Sequence, residues 1–198
     1  MILLFDSSCC NLGSVKVALQ KLKKKFFISC QAKDLTENIS AVLLPGVGSY
    51  DLYMHSLNQG GFGEKLKRLS FERSLKVFGI CSGAQVLFSG SEEGSSDGLG
   101  LLDGKVKKIS SCDNLKLPHI GWNKVEWCSK QTASIVSDET KPFYFCHSYC
   151  FPTSNNVIGK TLYGNKFPVF IKNKNIYAIQ FHPEKSYEQG LEILDKLL

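Results

Sequence analysis

The chain has 198 residues, of which 43% are hydrophobic and 21% are charged, and its formal net charge is +6. These values are typical of one globular domain over residues 1–198, and they exclude a disordered chain. The densest basic run, residues 21–25, has no aromatic residue within it. We therefore expect a solvated helix end at this run and no nucleic-acid-binding surface.

The amino terminus and the cysteines predict a cytoplasmic protein. The apolar run after Met1 has only four residues, ILLF, and no basic residues precede it, so it does not resemble a secretory signal. No segment approaches the roughly 18 apolar residues of a membrane-spanning helix. In a reducing compartment we expect the eight cysteines to be free and mostly buried thiols. Their spacing does not match a zinc site, and we expect neither a metal nor another cofactor.

Strands and helices alternate in the first 90 residues. Apolar runs predict strands at residues 2–6, 26–32, 41–46 and 75–80. Helices are predicted after residue 11, in pieces within residues 49–73, and over residues 83–89. Alternation of this kind, with several strands apolar on both faces, favours a parallel sheet that is covered on both sides.

After residue 104 the pattern changes to strand-like segments with few helical signals. These segments are residues 105–109, 123–127, 143–151 and 169–181. An amphipathic helix over residues 188–198 closes the chain. We predict a three-layer α/β fold of the flavodoxin-like type, in which helices flank a mostly parallel central sheet and an antiparallel β-region is added.

The segment GICSGAQ, residues 79–85, is a candidate nucleophile turn. Its Gly79-x-Cys81-x-Gly83 spacing is that of a G-x-S-x-G nucleophile elbow, with cysteine in place of serine. The small neighbours allow a sharp bend between strand and helix, and the helix N-terminus can stabilise a thiolate and an oxyanion. The alternative is a tight turn in which the cysteine is merely small. This motif alone leaves both interpretations open.

A thiol nucleophile requires a base, and His182 is the best candidate. It follows a strong apolar strand and precedes Pro183 and Glu184. In an extended segment, residues two apart point the same way, so the Glu184 carboxylate can orient the His182 imidazole. A strand end with an incidental surface glutamate is the alternative. Together with Cys81, the pattern favours a Cys-His-Glu catalytic triad.

The other three histidines have simpler interpretations. His55 lies in a polar stretch without an acidic or cysteine neighbour, so we expect it at the surface. His119 and His147 adjoin strand-like segments and are equally compatible with hydrogen-bonded core positions.

The two catalytic segments, GICSGAQ and QFHPEKS, together resemble the class I, triad-type glutamine amidotransferases. Three further segments are similar to the glutaminase subunits of imidazole glycerol phosphate synthases. They are LPGVGSY at residues 44–50, LPHIGWN at residues 117–123 and YFCHSY at residues 144–149. The motifs occur in the expected order, and PHIGWN is the most specific of them. This resemblance also implies the class I amidotransferase version of the predicted fold.

The resemblance implies hydrolysis of L-glutamine to glutamate and ammonia through a γ-glutamyl thioester. Cys81 would attack the side-chain amide, His182 would move the protons, and Glu184 would orient His182. The implied oxyanion donors are backbone N–H groups at Ser82 and at the glycine-containing loop, Val47 and Gly48.

The resemblance further implies four residues that hold the substrate glutamine. They are Gln85, Glu93, His147 and Ser148. A carboxylate such as Glu93 suits the α-ammonium group of glutamine. Each position also has an ordinary alternative, since Glu93 could be a solvated residue and Ser148 a strand residue with a local hydrogen bond.

The implied partner is a (β/α)₈-barrel cyclase subunit that forms a heterodimer with this chain and receives the ammonia. The cyclase would form imidazole glycerol phosphate and an aminoimidazole carboxamide ribotide in histidine biosynthesis. Candidate interface residues are Asn11, Trp122, Asn123 and Lys185. For Trp122, a core position in a strand is an equal alternative.

Two departures from the family pattern leave the triad intact but weaken the pathway assignment. Residues 8–10 lack the glycines that would allow positive φ, and the nucleophile motif has Ser82 and Ala84 where leucine and methionine are common. The alternatives are a paralogous glutaminase that supplies ammonia for sugar amination in surface-polysaccharide or glycan biosynthesis, and a non-catalytic docking subunit. A cysteine-dependent hydrolase or chaperone of the wider flavodoxin-like group is disfavoured by the HPE segment.

Overall fold

The computed structural model describes residues 1–8, 10–110, 115–129 and 135–198. The helices in these ranges are α1 Gly13–Lys21, α2 Tyr50–Asn58, α3 Phe62–Glu72, α4 Ser82–Gln85 and α5 Tyr187–Leu197. The strands are β1 Ile2–Phe5, β2 Phe26–Ser29, β3 Ala41–Leu44, β4 Lys76–Ile80, β5 Gly90–Ser91, β6 Lys105–Lys108, β7 His119–Asn123, β8 Glu126–Trp127, β9 Phe143–His147, β10 Tyr149–Cys150, β11 Val157–Tyr163, β12 Asn165–Asn173 and β13 Ile176–Ile179. Short 3₁₀ turns lie at Ala32–Asp34, Gln59–Gly61 and Pro183–Lys185.

The central sheet has eight strands in the order β2-β1-β3-β4-β13-β12-β11-β8. The first five are mutually parallel, and β13, β12, β11 and β8 pair antiparallel. Strands β1, β3 and β13 are buried along their whole length, as their continuous apolar sequences predict for a sheet covered on both faces.

Two hydrophobic cores lie on opposite faces of this sheet. Alternate residues of β1 enter different cores: Leu3 packs with α2 and α3, and Leu4 packs with α1 and α5. Helices therefore cover both faces, and the predicted three-layer α/β architecture is confirmed.

The added β-region consists of two small sheets beside the central sheet. One has the order β10-β6-β5, and the other is an antiparallel ribbon of β7 and β9. Phe143 and Phe145 of the ribbon are fully buried and belong to the core on the α1 and α5 side. The ribbon thus lies against the carboxyl end of β4, where the candidate nucleophile is located.

Several element bounds differ from the sequence prediction. Residues 169–181 are not one strand, because the chain reverses between β12 and β13 at Lys174, which has φ 52°. The helix predicted over residues 83–89 ends at Gln85. Strand β11 was not predicted.

The prediction of mostly buried cysteines is wrong for the described residues. Cys81 is buried, Cys30 and Cys128 are exposed, and Cys10, Cys146 and Cys150 are half-buried. Cys9 and Cys112 lie outside the described residues. No helix in the described part of the chain is long and apolar enough to cross a membrane.

Candidate active site

Cys81 occupies a sharp turn between β4 and α4. Its backbone has φ 48° and ψ −112°, a conformation that L-residues rarely adopt. The glycines on either side make this turn possible, because at each of them another part of the backbone lies too close to leave room for a Cβ atom. A Cβ on Gly79 would lie 2.5 Å from the carbonyl oxygen of Gly83, and one on Gly83 would lie 2.2 Å from that of Leu44. The predicted nucleophile elbow is therefore present, and strain at such a residue is characteristic of functional sites.

Two neighbouring segments hold Cys81, which is only 4% exposed. Its backbone N–H donates to the carbonyl of Ile179 at 2.7 Å, at the end of β13. Its thiol donates to the Cys146 carbonyl at 3.6 Å, and Gln180 Nε2 donates to Sγ at 3.5 Å. The thiol thus lies between β9 and the segment that follows β13.

His182 and Glu184 form a buried pair next to this thiol. His182 Nδ1 lies 2.8 Å from Glu184 Oε1, and both side chains are almost fully buried. The backbone N–H of His182 donates to the Tyr144 carbonyl at 2.8 Å, and Ser186 Oγ donates to the His182 carbonyl at 2.6 Å. These two contacts hold the His182 backbone, while Glu184 holds the imidazole.

The predicted contact between His182 and Glu184 is present, but the extended geometry that the prediction assumed is wrong. Glu184 does not lie in an extended segment. Pro183 begins a one-turn 3₁₀ helix that ends at Lys185, and this turn brings the carboxylate back to the imidazole. Proline suits the first position of such a turn because its φ is preset and its missing N–H has no partner there.

The charges around His182 favour its protonated form. Burial by itself lowers the pKa of the imidazole, but the negative charges of Cys81 and then Glu184 outweigh burial and raise the pKa to about 10. Nδ1 is engaged by Glu184, whereas Nε2 has no hydrogen-bond partner among the described residues. The site can therefore hold a thiolate–imidazolium pair with a proton available on Nε2.

The predicted oxyanion residues surround the same thiol. Val47, Gly48 and Ser82 line a cavity of about 220 Å³ together with Cys81. Ser82 Oγ donates to the Gly48 carbonyl at 3.2 Å, and Gly48 has φ 151°, which favours glycine. The loop lies so close to the elbow that a Cβ on Gly46 would lie 1.8 Å from the Ile80 carbonyl oxygen.

All four predicted substrate residues line this cavity. They are Gln85, Glu93, His147 and Ser148. Gln85 is buried, and its Nε2 donates to Gln180 Oε1 at 3.0 Å. Glu93 is exposed at the cavity. Desolvation raises the pKa of its carboxyl, and the charge of Asp51 adds to this rise, while a backbone hydrogen bond from Tyr50 opposes it.

Several residues of this site were not predicted from the sequence. Cys146, Tyr149 and Pro118 also line the cavity, and Gln180 links Gln85 to the thiol. Gln180 had a detectable signal, because it is a polar residue between two apolar ones at the end of a buried strand. A buried amide in that position requires polar partners.

The predicted interface residues divide into two groups. Trp122 is 44% exposed and stacks on Tyr187 with ring centroids 4.9 Å apart, so the core alternative for Trp122 is wrong. Lys185 Nζ lies 5.8 Å from the centroid of the Tyr144 ring, which also contacts Trp122 edge to face. We call these four residues, Trp122, Tyr144, Lys185 and Tyr187, the aromatic surface.

The other two predicted interface residues are engaged within the chain. Asn11 Oδ1 accepts from the Gly13 N–H at 2.8 Å near the start of α1, and Asn11 shares a small cavity with Glu184 and Lys185. Asn123 Nδ2 donates to the Leu162 carbonyl at 2.9 Å. Because neighbouring strand residues face opposite ways, Asn123 points away from the face that carries Trp122.

The two departures from the expected pattern are visible locally. Ser8 adopts φ 60° without being glycine, and its N–H donates to Asp6 Oδ1 at 2.9 Å. Ser82 and Ala84 are buried in the turn after Cys81. Neither departure displaces Cys81, His182 or Glu184 from one another.

The sequence is similar to a known protein family. The family model for glutamine amidotransferase class-I matches residues 7–198. The imidazole glycerol phosphate synthase subunit HisH 1 of Campylobacter jejuni strain RM1221 is 38% identical over 200 residues, covering 100% of this chain and 99% of the relative. The subunit HisH of Chlorobaculum tepidum is 37% identical and covers 98% of this chain and 97% of the relative.

Solved structures support the fold. A crystal structure described as a glutamine amidotransferase aligns with a TM-score of 0.76 at 19% identity, covering 98% of this chain and 97% of that chain. A chain in the structure of PurLQS from Thermotoga maritima aligns with a TM-score of 0.71 at 17% identity, covering 99% and 96%. At these identities the likeness concerns the fold alone.

Proposed function

This chain belongs to the class-I glutamine amidotransferase family and is a glutamine amidotransferase enzyme, and from that premise we propose that it is the glutamine-hydrolysing subunit of an imidazole glycerol phosphate synthase. The observation that carries the proposal is a strained cysteine that lines a small cavity and lies beside a buried histidine–glutamate pair. The full-length similarity to subunits named for that synthase supports the choice of complex.

The first half of the proposed reaction is acyl transfer to Cys81. The Cys81 thiolate attacks the side-chain carbonyl carbon of glutamine, and the carbonyl oxygen becomes an oxyanion. Backbone N–H groups at Ser82 and in the Val47–Gly48 loop stabilise that charge. His182 then donates its Nε2 proton to the departing nitrogen, the C–N bond breaks, and ammonia leaves a γ-glutamyl thioester.

The second half is hydrolysis of the thioester. His182 accepts a proton from a water molecule that attacks the thioester carbon, and the C–S bond breaks to release glutamate and restore the thiolate. Glu184 keeps Nδ1–H engaged, so Nε2 performs both proton transfers. The buried position of the pair limits competing protonation from solvent.

The substrate glutamine is proposed to lie in the 220 Å³ cavity with its amide at Cys81. Glu93 would pair with the α-ammonium group, and the bend at His147 and Ser148 would receive the α-carboxylate. Gln85 supports this wall, because its Nε2 lies 3.5 Å from the Tyr149 carbonyl.

The ammonia acceptor is proposed to be a (β/α)₈-barrel cyclase subunit that docks at the aromatic surface. Trp122 and Tyr187 expose a stacked aromatic pair at 44% and 73%, an unusual feature for a surface without a partner. Lys185 belongs to that surface and directly follows the catalytic Glu184, which places the surface beside the site. Asn11 shares a cavity with both residues and is proposed to border the interface. Asn123 would contribute indirectly, because its bond to the Leu162 carbonyl holds β7 in place.

Within this proposal, residues 1–198 form a single amidotransferase domain in the cytoplasm.

Replacement of Cys81 tests the chemistry. We expect Cys81→Ala, assayed with its co-purified partner, to lower glutamine hydrolysis by about 10⁴-fold or more while partner binding is retained. Cys128→Ala, at an exposed free thiol, is the matched control and should keep wild-type activity. A diazo-ketone analogue of glutamine should label Cys81 and leave Cys146 unlabelled, although both line the cavity. Ammonia release by Cys81→Ala would contradict the proposed nucleophile.

The partner is tested separately by affinity purification of the tagged chain from native extract, followed by mass spectrometry. Recovery of a barrel cyclase, with loss of recovery in Trp122→Ala, is the expected result. Recovery of a sugar-modifying enzyme instead would assign the ammonia to a different pathway and leave the glutaminase chemistry intact.

A further inference from the structure

Two buried histidines outside the triad form a hydrogen-bonded pair between β7 and β9. His119 and His147 are direct partners in the antiparallel register, and His119 Nδ1 lies 3.1 Å from His147 Nε2. The other nitrogen of His147, Nδ1, lies 2.7 Å from the Tyr149 carbonyl oxygen. His119 Nε2 lies 3.5 Å from Asn123 Nδ2. The four groups therefore form one continuous hydrogen-bond network from Asn123 to Tyr149.

These distances determine which nitrogen carries each proton when both rings are neutral. A carbonyl oxygen can only accept, so His147 Nδ1 must carry a proton and donate it to Tyr149. His147 Nε2 is then bare and must accept, so His119 Nδ1 carries the proton between the rings. His119 Nε2 is left to accept from the Asn123 amide. Every donor in this hydrogen-bond network points towards Tyr149.

The surroundings keep both rings neutral and in place. Burial lowers the pKa of His119 to about 4 and that of His147 to about 3. His119 is also stacked between Tyr163 and Phe145, with ring centroids 3.9 Å and 4.8 Å away. A ring held between two aromatic planes can direct its Nδ1–H in only one direction.

The hydrogen-bond network ends at the wall of the cavity that Cys81 lines. His147, Ser148 and Tyr149 form a bend that lines the cavity, and the carbonyl of the preceding Cys146 accepts from the nucleophilic thiol. The bond from His147 Nδ1 to the Tyr149 carbonyl closes this bend across two residues. If His147 turned or changed tautomer, that closure would be lost.

We propose that His119 is a positioning residue for the amide substrate: by donating to His147 it fixes the tautomer that closes the 147–149 bend, and so it holds the cavity wall in the shape that binds glutamine. The inference rests on the proposed glutaminase function. His119 lies outside the set of residues that line the cavity, so it acts through His147.

Two replacements of His119 distinguish the effect of losing its hydrogen bond from the effect of changing its shape. His119→Phe keeps a flat ring between Tyr163 and Phe145 but removes the donor, whereas His119→Asn can present an amide N–H near the position of Nδ1. We expect His119→Phe to raise the KM for glutamine about tenfold with kcat changed less than about twofold, because the competent bend is less populated. His119→Asn should recover most of that loss.

The tautomer of His147 provides a readout that does not depend on activity. Ring-nitrogen NMR shifts of the labelled wild-type chain should show His147 with a protonated Nδ1 and a bare Nε2, and His119→Phe should mix the two tautomers. A wild-type His147 protonated on Nε2 alone overturns the inference even if neither variant folds. Equal KM values for wild type and His119→Phe overturn it as well. If the wild-type complex does not hydrolyse glutamine, the proposed function fails, while the tautomer result still decides the structural half of the inference.

Discussion

The proposed catalytic pair, His182 and Glu184, and the histidine pair, His119 and His147, are two buried imidazole sites in which different charge states are favoured. His182, His119 and His147 are 1%, 3% and 5% exposed, so burial does not distinguish them. His182 faces the Cys81 sulfur and the Glu184 carboxylate, and its pKa is raised to about 10 in spite of burial. Among the described residues, the ring nitrogens of His119 and His147 contact each other, the Asn123 amide and the Tyr149 carbonyl, and the pKa values of the two rings are lowered to about 4 and about 3.

The contrast shows that a formal negative charge, and not burial, decides whether a buried imidazole holds a second proton. Desolvation disfavours the charged form at both sites, and only a counter-charge within contact distance reverses the effect. The same residue type is therefore proposed to transfer protons at His182 and to direct a hydrogen bond at His119. Three predictions test this contrast: the first removes the carboxylate beside His182, the second removes one neutral ring, and the third adds a carboxylate beside the neutral pair.

The largest effect is expected when the catalytic pair loses its carboxylate. Glu184→Gln leaves the shape of the side chain but removes the charge that helps to raise the pKa of His182. We expect kcat for glutamine hydrolysis to fall about 10³-fold, with little change in KM, because the imidazole loses its orientation and its stabilised protonated form. Steady-state kinetics of the partnered enzyme measure this change.

A matched control for that variant is Glu37→Gln, since Glu37 is exposed and remote from the cavity. It makes the same chemical change and should retain wild-type kinetics. A loss smaller than about tenfold in Glu184→Gln would mean that His182 is oriented by the backbone contacts alone.

The histidine pair should control stability in acid. A histidine whose folded pKa lies below its unfolded value of about 6.5 stays neutral in the folded state while the unfolded state binds a proton. The free energy of unfolding therefore falls as the pH drops from about 6.5 towards about 4, by about 1.4 kcal/mol per pH unit for each such histidine. His182 has the opposite sign, because its contribution is complete below about pH 6.5 and is lost as the pH rises towards about 10.

Urea unfolding of wild type and His119→Phe across the acid range measures this slope. The variant removes one of the two titrating rings, so its stability should fall less steeply with decreasing pH. His55→Gln is the control, because that ring is exposed on α2 and its removal should leave the slope unchanged. Equal slopes for wild type and His119→Phe would contradict a neutral pair.

Local sequence was sufficient to predict the catalytic region. The strained turn at Cys81 needs glycine at Gly79 and Gly83, and glycine spacing is visible without any tertiary contact. His182 and Glu184 lie two residues apart, so their pairing was found even though the geometry assumed for it was wrong. Pro183 was interpreted as the end of a strand, whereas it also begins the 3₁₀ turn that brings the carboxylate back.

The histidine pair could not be predicted in the same way. His119 and His147 are 28 residues apart, and their contact depends on the register between β7 and β9. The alternation of His119, Gly121 and Asn123 against Ile120 and Trp122 indicates two faces. Which face is buried is decided by packing of Phe143 and Phe145 against the core, and that is a tertiary property. The Tyr187 stack on Trp122 is non-local for the same reason.

The smallest expected effect comes from placing a carboxylate beside the neutral pair. Asn123 lies at the outer end of the chain, with Nδ2 3.5 Å from His119 Nε2. Asn123→Asp puts a carboxylate there, and we expect the pKa of His119 to rise by about one unit, towards the behaviour that Glu184 gives His182. A pH titration of the His119 ring signals by NMR measures the shift.

Asn123→Ala separates the added charge from the lost amide. It also removes the bond to the Leu162 carbonyl, but it adds no charge, so the pKa of His119 should stay low. In Asn123→Asp a protonated His119 would still donate from Nδ1 to His147, because both nitrogens of the charged ring carry a proton. Glutamine KM should therefore change less than in His119→Phe. An unchanged His119 titration in Asn123→Asp would show that distance and solvent screen the new carboxylate, and that the two sites differ by more than one charge.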